Sequence, residues 1–248
     1  MKIAIVGYGR MGKEIEKVCK ARKHELVAII DPSEPNATHK AINADALKNA
    51  DAVIEFTHPS QAVSNIEKIA SLKKNIVVGT TGWHSELKKV NDTVNKQGVA
   101  MIYGTNFSLG VNIFYRIIES AAALIDRAEN YDIYGMEMHH AGKADSPSGT
   151  AKSIADILLS NIRRKKKAVY DKLEKQISPD EVHFTSVRAG SLPGTHIVGF
   201  DSAQDKIELR HDAKGREGFA LGAVMAAEWL DGKKGLFTVS DFMSEYFK

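Results

Sequence analysis

The stretch Met136–Leu159, MEMHHAGKADSPSGTAKSIADILL, concentrates the side chains best able to do chemistry. His139 and His140 stand side by side, Lys143 follows three residues later, and Pro147-Ser148-Gly149-Thr150 opens into a helical pattern. Adjacent histidines on a strand point to opposite faces and cannot chelate one ion without distorting the backbone. No cysteine cluster or His-x-x-x-His pair accompanies them, so no metal is expected. One histidine is free to be structural. The other, with Lys143 near it, has the chemistry of a proton donor, because imidazole titrates near neutral pH. Ile154, Ile157, Leu158 and Ile162 give the following helix an apolar face, and Ser148 is a natural N-cap. Gly149 and Thr150 then occupy the first turn, where amides lack helical partners and a carboxylate is favoured. The plain alternative is a capped helix with water at its end.

A second group of residues points to a dinucleotide. GYGRMG places Gly7, Gly9 and Gly12 at G-x-G-x-x-G spacing, with Tyr8, Arg10 and Met11 between them. The motif follows the apolar run KIAIV and starts a helix, and Asp31 ends the next strand about 20 residues on. In that context Gly7 permits a tight turn, Gly9 lets a pyrophosphate approach, and Gly12 lets helix and strand pack. Free amides at the helix start hold the phosphates, and Asp31 accepts from an adenosine ribose. An acidic residue there favours NADH, while Arg10, Lys13 and Lys40 offer positive charge that offsets it, so NADH or NADPH is expected. GTTGW (Gly79–Trp83, with Thr80 and Thr81) and GTNFS (Gly104–Ser108, with Thr105, Asn106 and Phe107) each follow a strand, where open α/β sheets bind ligands.

The elements that must carry these loops alternate along the first hundred residues. Strands are predicted at Lys2–Val6, Leu26–Asp31, Ala52–Phe56, Ile76–Gly79 and Val99–Gly104. Helical periods run from Met11 to Cys19, Ala62 to Ala70 and Leu87 to Val94. This alternation predicts an α/β fold, a Rossmann-type doubly wound parallel sheet. After Phe107 the texture changes to a long helix from about Leu109 to Ala128, the strand YDIYGMEMH, the site helix, and three β runs without helices between them. That order predicts an α+β second domain with a mixed or antiparallel sheet. GFALGAVMAAEWL (Gly218–Leu230) is helical and apolar, and is expected to return to the first domain. The boundaries are therefore 1–108 with 217–248 for the dinucleotide-binding domain, and 109–216 for a substrate-binding and oligomerisation domain.

Composition narrows the class. The 248 residues are 43% hydrophobic and 26% charged with a net charge of +3, ordinary for a globular protein and too weakly basic to argue for nucleic acid. RRKKK (Arg163–Lys167), the one charge run, reads as a solvated face or loop. No apolar run approaches the roughly 18 residues of a membrane span. The single cysteine, Cys19, excludes an intramolecular disulfide, and the N-terminal MKIAIVGYGRMG has no signal-peptide layout, so a cytoplasmic protein is expected.

VGYGRMG, EFTHPS, VVGTTGW, GTNFSLGVN, EMHHAGKADSPSGTA and SVRAGSLPGTH lie in order along nearly the whole chain, and together they resemble the dihydrodipicolinate reductase family. The H-H-x-x-K-x-D-x-P-S-G-T-A string is the specific part. The resemblance implies NAD(P)H-dependent reduction of (hydroxy-)dihydrodipicolinate to tetrahydrodipicolinate in lysine and diaminopimelate biosynthesis, by a homotetramer. It implies that Gly7–Gly12, Asp31, Gly79–Thr81 and Gly104–Phe107 bind the cofactor. His139 would be the proton donor and Lys143 a second acid. His140, Lys143, Ser148, Gly149 and Thr150 would hold a cyclic dicarboxylate. The two domains would close on substrate, with hinges near Phe107–Leu109 and Lys214–Gly218. Three positions depart from the family's commonest pattern: the glycine loop is one residue shorter, Pro32 stands where some members carry arginine, and Ser146 replaces alanine. Other two-domain dehydrogenases would carry a lysine in an E-K-P-like motif, which GTTGW lacks. A thiol-dependent semialdehyde dehydrogenase would need a better-placed cysteine than Cys19. A dinucleotide-sensing regulator would have no use for His139 and Lys143.

Overall fold

The structure, a computed structural model, describes residues 1–170 and 172–246. In chain order it runs β1 (Lys2–Val6), α1 (Arg10–Ala21), β2 (Glu25–Ile30), α2 (Ala44–Leu47), β3 (Ala52–Glu55), α3 (Pro59–Ser71), β4 (Asn75–Val78), α4 (Leu87–Gln97) and β5 (Ala100–Tyr103). Next come α5 (Leu109–Ile125), β6 (Asp132–His139), α6 (Gly149–Asn161), β7 (Lys167–Val169), β8 (Glu181–Arg188), β9 (Thr195–Asp201) and β10 (Lys206–Asp212). The chain ends with α7 (Glu217–Trp229), β11 (Gly235–Thr238) and α8 (Val239–Tyr246). Two compact units form: Met1–Leu109 with Arg216–Lys248, and Gly110–Gly215.

The first unit holds a six-stranded sheet in the order β2-β1-β3-β4-β5-β11, parallel throughout. Successive strand residues face opposite layers. Ile3, Ile5, Ile54, Val77 and Ile102 pack with Ile15, Ala223, Val224 and Phe242 from α1, α7 and α8. Ala4, Val6, Val53, Ile76 and Met101 pack instead with Ile66, Ile69, Val90 and Val94 from α3 and α4. With both faces covered, the strands must be apolar on both sides, which is why their sequences read as continuous hydrophobic runs. The doubly wound sheet predicted from alternation is thus present. Its carboxyl ends form one edge, from which the loops after β1, β2, β4 and β5 project.

The second unit holds a five-stranded mixed sheet, β10-β9-β6-β8-β7, in which β6 pairs antiparallel with β9 and parallel with β8. Phe184, Val198, Phe200 and Ile133 on one sheet face pack against Phe114 and Ile118 of α5 and Ile154 and Leu158 of α6.

One expectation is corrected here. The RRKKK run is solvated only in part: Arg163, Lys166 and Lys167 are exposed, while Arg164 is half-buried. Lys165 is only 2% exposed, and its Nζ donates to Asp132 Oδ1 (2.6 Å) and to the carbonyls of Pro179 and Glu181 (both 2.8 Å). Arg164 donates to the carbonyls of Ile125 (3.1 Å) and Tyr131 (2.7 Å), and Lys167 begins β7. These cations satisfy carbonyls that would otherwise be buried without partners.

Candidate active site

The glycine loop is built as its spacing requires. Gly7 follows β1 with φ +90°, and a Cβ there would lie 2.0 Å from the Phe56 carbonyl oxygen, so only glycine fits. At Gly12 a Cβ would lie 2.3 Å from the Gly7 oxygen, whereas at Gly9 it would meet nothing within 4 Å. Gly9 is the N-cap of α1 and no side chain caps that end, which leaves the first-turn amides open on the exposed side. Beside it a cavity of about 510 Å³ is lined by Gly7, Gly9, Asp31, Lys40, Thr57 and His58, among others.

Asp31 stands directly after β2 and does more than face that cavity. Its Oδ2 accepts the Tyr8 amide (2.8 Å), and Oδ1 accepts the amides of Ser33 (2.8 Å) and Glu34 (3.0 Å). Burial works against its ionisation, but these amides and the charge of Lys40 outweigh burial and hold its carboxyl below the usual range. The carboxylate therefore ties the glycine loop to the turn after β2. Lys13 pairs with Glu34 (3.1 Å), and Lys40 donates to the Glu34 carbonyl (2.7 Å). Arg10 is exposed and Met11 half-buried. The Tyr8 side chain is packed into the core with its hydroxyl on Glu16, and burial pushes its phenol up to about 12.

Gly79–Thr81 and Gly104–Phe107 follow β4 and β5 at the same sheet edge. Thr80 is buried, with its hydroxyl accepting the Thr57 amide (2.7 Å) and its carbonyl accepting the Trp83 indole (2.7 Å). Thr81 and Thr105 are exposed. Asn106 accepts the Ser108 amide (2.8 Å), and Phe107 is a core residue set edge-on to Phe56. Sequence reasoning missed Glu55, fully buried at the end of β3. Asn65 donates to its Oε1 (3.2 Å), as does the Thr57 hydroxyl, while Oε2 has no partner. Burial raises its pKa.

In the second unit, strand register assembles a buried polar set. His139 is the last residue of β6 and is buried, while His140 lies just past the strand and is half-buried. Glu137, two residues before His139, shares its face. Arg188 is the register partner of His139, and His196 that of Glu137. Glu137 is fully buried: Oε2 meets His139 Nδ1, and Oε1 accepts Arg188 Nη2 (2.7 Å) and the Ser148 amide (3.3 Å). Burial alone would raise the Glu137 carboxyl, but the Arg188 guanidinium, the Ser186 hydroxyl and His139 together outweigh it, and its pKa is lowered. Burial is also the main reason the His139 pKa falls; Glu137 opposes that fall, while Lys143 and Arg188 reinforce it. His196 is driven down to about 4, first by burial and then by His139.

Ser148 caps α6 by accepting the Ala151 amide (3.2 Å), and its hydroxyl lies 3.3 Å from His196 Nε2. Gly149 is exposed at the helix start. The Thr150 hydroxyl is hydrogen-bonded with Tyr115. Lys143 pairs with Asp145 (2.8 Å), whose main-chain oxygen also receives Arg188 Nη2 (2.7 Å). The structure thus brings His139, Lys143 and the helix start, all singled out in the sequence, together with Glu137, Arg188 and His196, which were not. The signal for Glu137 was its i, i+2 spacing from His139 on a strand. Glu137, His139 and His196 offer atoms within 4.8 Å of one another. However, Arg188 already supplies the positive charge that Glu137 pairs with, which opposes a cation there.

The comparisons with known proteins agree along the whole chain. The family model described as dihydrodipicolinate reductase, N-terminus, matches residues 1–107, and that described as dihydrodipicolinate reductase, C-terminus, matches 110–243. A 4-hydroxy-tetrahydrodipicolinate reductase of Christiangramia forsetii is 40% identical over 100% of both chains. One from Buchnera aphidicola is 33% identical over 99% of this chain and 98% of its own. A dipicolinate-bound dihydrodipicolinate reductase from Paenisporosarcina sp. TG-14 has the same fold, with TM-score 0.78 at 24% identity over 96% of this chain and 97% of its own. The chain belongs to the dihydrodipicolinate reductase family.

Proposed function

We propose that the protein is a 4-hydroxy-tetrahydrodipicolinate reductase that reduces (hydroxy-)dihydrodipicolinate to tetrahydrodipicolinate in lysine and diaminopimelate biosynthesis. The observation that carries this reading is the hydrogen-bonded set through Glu137, which joins a histidine to the start of a helix beside a lysine. A cyclic dicarboxylate needs both features: positive groups for its carboxylates, and an acid for its ring carbon. The open Gly9 end of α1, the bare loop and the adjoining cavity fit a nicotinamide dinucleotide, which when bound supplies a hydride.

Gly7, Gly9 and the amides from Arg10 to Gly12 hold the phosphates, and Asp31 keeps lone-pair capacity for a ribose beside its three amide contacts. Gly79–Thr81 and Gly104–Phe107 border the nicotinamide. Lys143, His140, Gly149 and Thr150 bind the substrate carboxylates, with Ser148 holding the helix start in place. Two electrons arrive at ring C4 as hydride. His139 gives a proton to the neighbouring ring carbon, so one C=C bond is reduced, and Lys143 is a second acid. Because Lys13 and Lys40 are engaged by Glu34 and Pro32 brings no cation, NADH is preferred over NADPH. The apolar residues left exposed on α5, Ile113 (39%), Ile117 (47%) and Leu124 (71%), favour assembly, which we take to be a homotetramer. Among the described residues no helix is long and apolar enough to cross a membrane.

The test is oxidation of reduced nicotinamide with freshly generated dihydrodipicolinate. Turnover that needs the substrate supports the reading, and none with either cofactor contradicts it. Asp31→Ala should weaken NADH about 10-fold or more, by loss of a charge-assisted bond of roughly 1.5–3 kcal/mol, and NADPH less. Equal loss of both cofactors in paired binding titrations would confine Asp31 to its three amides.

A further inference from the structure

We propose that Glu137, clamped by Arg188, is the positioning residue of this site: it accepts Nδ1–H of His139 and the Ser148 amide, so that His139 works through Nε2 and stays aligned with the start of α6. The inference rests on the reductase reading for what His139 does, but its geometry stands apart from that reading.

Three observations carry it. Glu137 is fully buried, yet each of its oxygens is engaged, Oε2 by His139 and Oε1 by Arg188 and the Ser148 amide. An ionised carboxylate can only accept, so the facing Nδ1 must carry hydrogen and the neutral ring is left with a basic Nε2. On the far side of the ring, Nε2 lies next to Gly194, where a Cβ would come within 3.0 Å, so glycine leaves that nitrogen free of a crowding side chain.

A buried ion cluster is a poor way to gain stability, since an apolar set of similar volume commonly does as well or better. Its value here is orientation. The same carboxylate that sets the tautomer also fixes Ser148, the residue that caps α6. Proton donor and carboxylate-binding helix start are thereby held by one side chain. The remaining charged or titratable groups around His139 are Lys143 in the turn after β6, Arg188 on β8 and His196 on β9, with His211 acting on His196 from β10.

The wild-type protein, labelled with ¹⁵N in its histidine rings, should show neutral His139 as the Nδ1–H tautomer; an Nε2–H tautomer overturns the proposal whether or not the protein is a reductase. Glu137→Gln should lower kcat about 10²-fold, in the range of lost general acid catalysis, with KM for reduced nicotinamide changed less than about two-fold. It should also shift the pH profile. The donor acts when protonated, so activity falls as pH rises through the His139 pKa, and removing the carboxylate moves that alkaline limb to lower pH. Arg188→Lys keeps a cation beside Glu137 and should retain much more of kcat than Glu137→Gln; equal losses would contradict the clamp. If Glu137→Gln does not fold, the tautomer decides. A folded Glu137→Gln with unchanged kcat and an unmoved limb sinks the proposal. A wild-type protein that shows the Nδ1–H tautomer but no turnover sinks the reductase reading and leaves the pairing intact.

Discussion

His139→Gln should cut turnover by about 10²–10⁴-fold, the range ascribed to a positioned general acid. Binding of reduced nicotinamide, followed by fluorescence titration, should stay within about two-fold of wild type, because uniform binding energy is untouched. The argument is chemical. Protonation of the ring carbon needs an acid whose pKa lies near the working pH, and glutamine offers only an amide. The substitution is also mild for the fold: the glutamine amide can still donate toward Glu137, so the buried carboxylate keeps a partner beside Arg188. The alkaline limb of the pH profile should disappear with the imidazole. Turnover within two-fold of wild type would remove His139 from the chemistry and leave it a buried structural residue.

Lys165→Met is expected to have the largest effect on stability and almost none on chemistry. Lys165 Nζ joins Asp132 at the start of β6 with the carbonyls of Pro179 and of Glu181 at the start of β8. Methionine fills the stem's volume but leaves two carbonyls without a donor. Breaking a buried pair costs about 3–5 kcal/mol when the remaining charge is trapped, but the Asp132 side chain is 66% exposed and can be hydrated. The expected loss is therefore lower, about 2–4 kcal/mol, and the thermal midpoint of this unit should drop on the order of 10 °C. Because β6 and β8 run parallel, Lys165 clamps their amino ends, while Glu137, His139 and Arg188 sit toward the carboxyl ends. Turnover well below the melting transition should consequently match wild type. A midpoint shift under about 2 °C would show that water replaces the ammonium at little cost.

How far the sequence could be read follows from where each signal lives. β1 was legible as KIAIV because a strand covered on both faces shows its burial in every residue. The glycine loop was legible because its demands are largely local: Gly7 turns with φ +90°, and a side chain at Gly12 would strike the Gly7 carbonyl inside the motif. Ser148 was legible because capping is a local bond, here to the Ala151 amide. Three kinds of feature were hidden. The edge strands β7 and β11 are only three and four residues long, and β7 opens with a lysine. The four-residue α2 is too short for its periodicity to stand out. Buried ionic residues were the third kind. Lys165 looked like surface because its three oxygen partners come from residues 14 to 33 positions away. Glu137 looked unremarkable because Arg188 and His196 reach it only through strand register. Tyr8 and Phe107 lie in loops expected to bind the cofactor, and because both side chains belong to the core, it is their backbone that a ligand there would meet. Loop position identifies which backbone is near a ligand, not which side chain.

The central claim is direct hydride delivery to a cyclic dicarboxylate. Its most immediate measurement is a single turnover with reduced nicotinamide deuterated at the transferable C4 position, followed by mass and NMR analysis of the ring product. The account predicts one deuterium at ring C4 and a solvent-derived hydrogen at the neighbouring carbon. Nicotinamide oxidised with no deuterium in the ring, or deuterium at the neighbouring carbon instead, would contradict it.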